Sequence, residues 1–354
     1  MNRRKGCWAI AVAGATCAVL ILPATTAASA KTAPTPVKKR AAAPMTAARA
    51  AQPTASSVPA LTANAATDYW TPERMKTAKP KDTLEVRPGQ STQAMVAPLT
   101  GSPGSVAPMT ATTGGTWPSS YNQRETKING KVFLTDNWGN NYECSGSVVN
   151  SLHKTMVWTA GHCVFDNDDY WCDQSQGYYH NWTFVPGYKN GAAPYGKWTA
   201  SRLSVPTGWC NGIGPSAIPY DTGAVNVHFN SHGQAIANVV GANGLSWNTN
   251  NAPVWSFGYP AASPFNGATL RYCQDSRLID THTTYNQAGH KPLGIRCRMT
   301  GGSSGGPWLT GSPAVAPGTG VVNGHNDYKY TNDATRMYSP YYGTAQGNLY
   351  NYMK

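Results

Sequence analysis

The chain has 354 residues, 28 Lys and Arg against 16 Asp and Glu, a formal net charge of +12 and eight cysteines. Hydrophobic content of 40%, with 12 Trp and 19 Tyr, excludes a chain disordered throughout. A single long apolar run, at the N-terminus, excludes a polytopic membrane protein.

The charge invites a nucleic-acid partner, because clustered Lys and Arg neutralise phosphates. Its distribution argues against one. Residues 1–115 carry 13 of the 28 basic and 4 of the 16 acidic residues, a balance of +9, and residues 116–354 carry only +3. All six Phe, 10 of the 12 Trp and 18 of the 19 Tyr follow residue 115, so the part able to build a core has no basic stripe.

Arg3, Arg4 and Lys5 precede an apolar stretch from Cys7 to Pro23, and Ala28-Ser29-Ala30 follows. This pattern predicts a signal peptide over residues 1–30, with a single-pass anchor as the alternative. Export into an oxidising compartment follows, and the mature protein is expected to be secreted and free of the membrane. From Lys31 to residue 117 Ala, Thr and Pro dominate, with a basic knot at Lys38-Lys39-Arg40. Such a segment buries too little apolar surface to offset its ordering entropy, and it reads as a largely disordered pro-region. A flexible stalk is the alternative that composition leaves open. Within it, Asp68 to Met75 contains Tyr69 and Trp70 and reads as a short docking element.

Residues 118–354 have a different texture. Short runs at 131–134, 146–149, 155–158, 224–229, 254–257 and 320–322 are rich in β-branched and aromatic residues and bounded by Gly, Asn and Pro. They predict brief strands joined by turns, hence an all-β domain, with a helical period only over Thr344 to Lys354. Cys144, Cys163, Cys172, Cys210, Cys273 and Cys297 predict three disulfides whose connectivity the sequence leaves open. Zinc is the competing use, but no close C-x-x-C and no H-E-x-x-H occurs, so no metal is expected.

Glu125 and Glu143 are the only Glu after residue 115, which disfavours a glycosidase carboxylate pair. No phosphate loop or dinucleotide fingerprint is present, and no cofactor is expected. Two strings stand out: Thr159-Ala160-Gly161-His162-Cys163, and Thr300 to Pro307, which reads TGGSSGGP. A serine nucleophile needs a base and a means of stabilising an oxyanion. The glycines around Ser304 let a substrate carbonyl approach the Gly302 and Ser304 N–H groups. His162 is the candidate base, and Asp221, at the start of an apolar strand, is the candidate partner for its imidazole. Asp166, Asp168, Asp169 and Asp173 crowd a polar loop that reads as a solvated face, with a calcium loop as the alternative.

Together the two strings resemble the His and Ser signatures of the chymotrypsin-like (trypsin-fold) serine peptidases. Cys144 to Val149 is similar to that family's strand before the His loop, Asp221 to Val225 to its Asp strand, and the order His, Asp, Ser also agrees. The T-G-G-x-S-G form is similar to bacterial, glutamyl-endopeptidase-like members. The resemblance spans residues 118–354 and implies two antiparallel six-stranded β-barrels, roughly 118–228 and 229–354, with the active site between them and a short C-terminal helix. It implies His162 as general base, Asp221 as its orienting partner, Ser304 as nucleophile, and Gly302 and Ser304 N–H groups as the oxyanion hole. Cys144–Cys163 and Cys273–Cys297 bridges are also implied, leaving Cys172–Cys210.

Where trypsin has an Asp before the nucleophile, Ser303 stands, so a pro-segment is expected to act by blocking or by assisting folding. Arg298 lies six residues before the nucleophile, where trypsin has its pocket-floor Asp. If buried it favours acidic side chains; it equally points out or pairs with Asp275 or Asp280. His325 stands three residues beyond the place of the glutamyl endopeptidases' His, occupied here by Val322, and with Arg298 completes the candidate specificity pocket. The expected function is a secreted, monomeric serine endopeptidase acting on protein or peptide substrates through an acyl-enzyme. A catalytically silent binding protein of the same fold is the alternative.

Overall fold

Every residue of strand β5 (Asn129–Thr135) is buried, because both of its faces are covered. Val132 and Leu134 point into the first core, and Phe133 points the other way onto Trp70, Val185 and Tyr188. The computed structural model describes residues 45–58, 60–81, 84–87, 101–107, 124–212, 214–249, 253–281, 291–310 and 320–354. The expected signal peptide and the Lys38-Lys39-Arg40 knot lie outside them.

The first barrel is closed and antiparallel. Beside β5, it comprises β6 (Asn141–Val148), β7 (Met156–Thr159), β8 (His180–Pro186), β9 (Trp198–Pro206) and β10 (Gly223–Val227). The ring runs β5-β6-β7-β10-β9-β8 and closes by pairing β8 with β5. Its interior is filled by Val132, Leu134, Val148, Val157 and Val225 from the predicted strands, and by Phe184, Leu203 and Val205 from β8 and β9, which the sequence reading did not single out.

The second half is built from two sheets. One holds β11 (Gly244–Trp247), β12 (Val254–Gly258), β13 (Arg271–Asp275), β16 (Pro307–Thr310) and β17 (Val321–His325). The other holds β14 (Leu278–Ile279), β15 (Leu293–Arg296), β18 (Tyr328–Tyr330) and β19 (Asp333–Ser339). Val254, Ile295, Trp308 and Met337 pack between them. A seam of Met156, Trp158 and Ala224 against Leu245, Leu309 and Val322 joins the halves. Across that seam lies the C-terminal helix (Thr344–Met353), which contributes Leu349, Tyr350 and Met353.

The stretch before residue 118 departs from the composition-based expectation of disorder: its described residues wrap both halves. Strand β1 (Pro53–Ser57) adds to β9, β2 (Lys79–Pro80) to β6, β3 (Leu84–Val86) to β18 and β4 (Gly104–Val106) to β11. Helices at Ala60–Tyr69 and Pro72–Thr77 bracket Trp70, which is fully buried and donates its indole N–H to Asn181 O at 2.6 Å. Main-chain ladders need no particular composition, and two large side chains, Trp70 and Met75, supply the apolar anchor.

Lys131 and Glu143 form a buried ion pair at 2.6 Å, and Lys131 also donates to Gly267 O at 2.9 Å. Burial raises the Glu143 carboxyl to about 7, against the opposing pull of Lys131. Removing one member leaves the other charge uncompensated. Lys131→Ala is expected to destabilise the fold by about 3–5 kcal/mol, whereas pairing Lys131→Met with Glu143→Leu recovers most of it. Urea denaturation of the two variants checks this; equal losses in the single and double variants contradict it.

Candidate active site

A 3-10 turn, Gly161–Cys163, ends β7 and carries His162. Its conformation is tied to Asp221, which leaves a second 3-10 turn just before β10. The His162 backbone N–H donates to Asp221 Oδ1 at 2.8 Å, and the ring Nδ1 meets Asp221 Oδ2 at 2.8 Å. Both carboxylate oxygens therefore serve one histidine, which sets the Nδ1–H tautomer and directs Nε2 away from Asp221. Asp221 is fully buried and His162 is 4% exposed.

Ser304 comes from the other half, on the turn before β16. Gly302 and Gly305 adopt φ of +89° and +80°, which favours glycine; a Cβ on Gly305 stands 2.0 Å from Thr159 Oγ1. The turn is held against β6: Ser145 N–H donates to Ser304 O at 2.8 Å and Ser145 Oγ to Gly302 O at 2.9 Å. The sulfur of Cys163, the residue after His162, lies 3.8 Å from Ser304 O. Ser304 Oγ and His162 Nε2 are both buried, without a hydrogen-bond partner among the described residues. From below, Asn326 holds the turn: its N–H donates to Gly306 O, its carbonyl accepts from Gly305 N–H, and Nδ2 reaches Ser303 O at 3.2 Å. Ser303 directs its hydroxyl to Thr300 O at 2.8 Å, within its own turn.

Three disulfides brace this arrangement. Cys144–Cys163 joins β6 to the His162 turn, Cys172–Cys210 closes the polar loop, and Cys273–Cys297 ties β13 to the segment entering the Ser304 turn.

A third carboxyl, absent from the sequence reading, completes the buried cluster. Asp327 Oδ1 lies 3.5 Å from His162 Nδ1, and donor atoms of His162, Asp221 and Asp327 lie within 4.8 Å of one another. Burial and then the Asp221 charge push the Asp327 carboxyl well above the carboxylate range. Burial opposes ionisation of Asp221 too, but His162 outweighs it and holds Asp221 below its ordinary value. Burial alone lowers the imidazolium; Asp221 and then Asp327 reverse this and leave His162 at about 9. The only sequence signal for Asp327 is a polar pair, Asn326-Asp327, directly after an apolar strand.

The N-terminal stretch also reaches this site. Lys81 N–H donates to Glu143 O at 2.9 Å, and its carbonyl accepts from Gly302 N–H at 3.0 Å. With β2 on β6 and β3 on β18, the segment around Lys81 is anchored to both halves. A peptide carbonyl thus occupies the donor assigned from sequence to the oxyanion.

The specificity-pocket residues do not come together as expected. Arg298 is exposed, while Cys297 and Met299 on either side turn inward, so its guanidinium does not lie at a buried pocket floor. Asp275 pairs with Arg296 rather than Arg298. His325 is fully buried opposite Pro307, and its Nδ1 meets Tyr342 Oη at 2.9 Å. Burial lowers its imidazolium to about 3, so it is neutral.

No family model matches the chain. The crystal structure of the protease Anisep from Arthrobacter nicotinovorans matches at 42% identity and a TM-score of 0.55, over 64% of this chain and 95% of that one. A thermostable serine protease, AL20, from an extremophilic microorganism matches at 30% identity and a TM-score of 0.54, over 65% and 97%. Among curated proteins, the glutamyl endopeptidase of Bacillus licheniformis is 31% identical over 120 residues, 33% of this chain and 32% of its own length. A Bacillus subtilis protein named extracellular metalloprotease is 26% identical over 196 residues, 53% of this chain and 57% of its own length. The chain thus spans only part of these two curated relatives. Anisep and AL20 are matched over almost their whole length, at 42% and 30% identity, by a chain that pairs His162 with Asp221. On that ground the chain belongs to the chymotrypsin-like serine proteases.

Proposed function

We propose that the protein is a secreted serine endopeptidase that hydrolyses peptide bonds through an acyl-enzyme. Ser304 Oγ attacks the carbonyl, His162 Nε2 takes its proton and returns it to the leaving amine, and Asp221 orients the imidazole. Gly302 and Ser304 N–H groups stabilise the oxyanion. The observation that carries the reading is the double tie of Asp221 to His162, which leaves Nε2 unpaired, while the sulfur of the adjacent Cys163 lies 3.8 Å from Ser304 O. The peptide carbonyl on Gly302 N–H supports the oxyanion role. The name of the metalloprotease relative finds less support, because both Asp221 oxygens are already committed to His162.

Export is supported by the N-terminal sequence pattern, the three disulfides and the extracellular relative. Among the described residues no helix is long and apolar enough to cross a membrane. Residues 31–117 act as a pro-region in this reading, and the segment around Lys81 blocks the cleft until it is removed. For an acidic side chain on the acyl side, as in the name of the licheniformis relative, His325 stays in the proposal and Arg298 does not.

A fluorophosphonate tests the mechanism: one equivalent is expected to label Ser304, and His162→Ala to abolish labelling. Labelling that survives in His162→Ala, or that falls elsewhere, removes the assignment.

Only neutral His162 accepts the serine proton, so kcat/KM is expected to rise with pH along a limb displaced above 6.5 toward about 9. The same raised pKa stabilises the fold below about 6.5, a contribution lost as pH rises through about 9. A pH–rate profile with a limb at or below 6.5 contradicts this arrangement.

A further inference from the structure

Lys81 brings to the site a side chain that neither the triad nor the packing of the barrels requires. Its backbone is held from both sides, by Glu143 O on one and Gly302 N–H on the other. From there its ammonium lies 4.9 Å from the centroid of the Tyr142 ring and 5.1 Å from that of Tyr179. Asp166, four residues beyond His162, adds negative charge: burial raises its carboxyl, and the Lys81 ammonium is the main influence opposing that rise. Two aromatic faces and a carboxylate around one ammonium make a cation-accepting environment.

The walls of this environment belong to the barrel itself. Tyr142 lies on β6, Asp166 N–H donates to Gly177 O at 2.8 Å, and Tyr179 N–H donates to Val164 O at 3.2 Å. These ties do not involve Lys81, so the walls stay in place when it leaves.

We infer that Tyr142, Tyr179 and Asp166 form a subsite for a basic side chain beside the oxyanion donor, filled by Lys81 in the full chain and by a substrate Lys or Arg afterwards. The inference rests on the endopeptidase reading above. All three residues lie on the barrel that carries His162, and Lys81 O sits on the oxyanion donor Gly302 N–H, so the substrate residue they meet is at or next to the scissile bond. Lys81 is thus both an obstruction and a sample of what the subsite accepts.

The test uses protein produced from the full chain and allowed to mature. Internally quenched peptides, otherwise identical, carry Lys, norleucine or Asp at the last acyl-side position or at either of the first two leaving-group positions. At one position Lys is expected to exceed norleucine in kcat/KM by about 10-fold, and Asp to fall below both. Asp166→Asn, which keeps the oxygen that accepts Asp168 N–H at 3.2 Å, is expected to lose most of that preference, read as the ratio of kcat/KM for Lys and norleucine peptides. Tyr179→Leu is the second variant. A synthetic peptide of residues 75–81 is expected to inhibit cleavage of a norleucine peptide, and its Lys81→Met analogue to inhibit about 10-fold less well. Equal cleavage of Lys and norleucine peptides at all three positions, or a preference undiminished in both variants, overturns the subsite and leaves the endopeptidase reading standing. Failure to cleave any peptide overturns that reading, and the subsite with it.

Discussion

Ser304→Ala is expected to lower kcat on a peptide substrate by about 10^6-fold, with little change in KM or thermal stability. The loss is large because the residues act as a unit: without Oγ, His162 has no proton to take and no acyl-enzyme forms. Residual catalysis comes from the oxyanion donors and from binding alone, and remains about 10^3–10^4 above the reaction in water. The fold is spared because Ser304 Oγ makes no hydrogen bond among the described residues, while its carbonyl, which the substitution keeps, accepts from Ser145 N–H. Peptide hydrolysis by purified variant and parent, with thermal unfolding as the control, checks both halves. A hydrolysis rate unchanged by Ser304→Ala removes the peptidase assignment and leaves a binding protein of peptidase fold. If maturation is autocatalytic, the same variant also retains the segment around Lys81, visible as a longer chain.

His162, Asp221 and Ser304 could be proposed from the sequence because each sits in a local string whose neighbours suit that chemistry. Gly302 and Gly305 permit the positive φ of the nucleophile turn, and Cys163 anchors the base. The strands were legible for an equally local reason: Val132 and Leu134 alternate with Phe133, and period 2 needs no knowledge of the partner strand. What escaped depends on residues far apart in the chain. Asp327 matters only through its distance to His162, 165 positions earlier. The direction of Arg298 stayed open because one step along an extended chain reverses the side-chain direction, and Cys297 and Met299 hold the inward places. The stretch before residue 118 looked disordered because composition reports side chains, whereas β1, β2, β3 and β4 are held largely by main-chain pairing to strands that composition does not reveal.

Asp221→Asn and Asp327→Asn are expected to differ by orders of magnitude, although both replace a fully buried carboxyl beside the same imidazole. Asp221 accepts from the His162 backbone N–H and from Nδ1, each at 2.8 Å. An amide in its place offers only one oxygen, and its NH2 faces one of those donors. The imidazole then takes the wrong tautomer, and kcat falls by about 10^4-fold. Asp327 is held protonated by burial and by the Asp221 charge, and a protonated carboxyl is already close to an amide in shape and in hydrogen-bonding capacity. Asp327→Asn therefore changes kcat less than about 10-fold and moves the acid limb of the pH–rate profile down by much less than Asp221→Asn does, because Asp327 is the smaller of the two influences that raise His162. An ionised Asp327 gives a larger shift: its loss withdraws a negative charge 3.5 Å from Nδ1, and the limb moves down as far as in Asp221→Asn. Rate profiles of the two variants between pH 5 and about 10 distinguish these outcomes around the usual and raised histidine ranges. A downward shift of the limb in Asp327→Asn as large as that in Asp221→Asn shows that His162 is served by two carboxylates rather than by a carboxylate and a neutral acid.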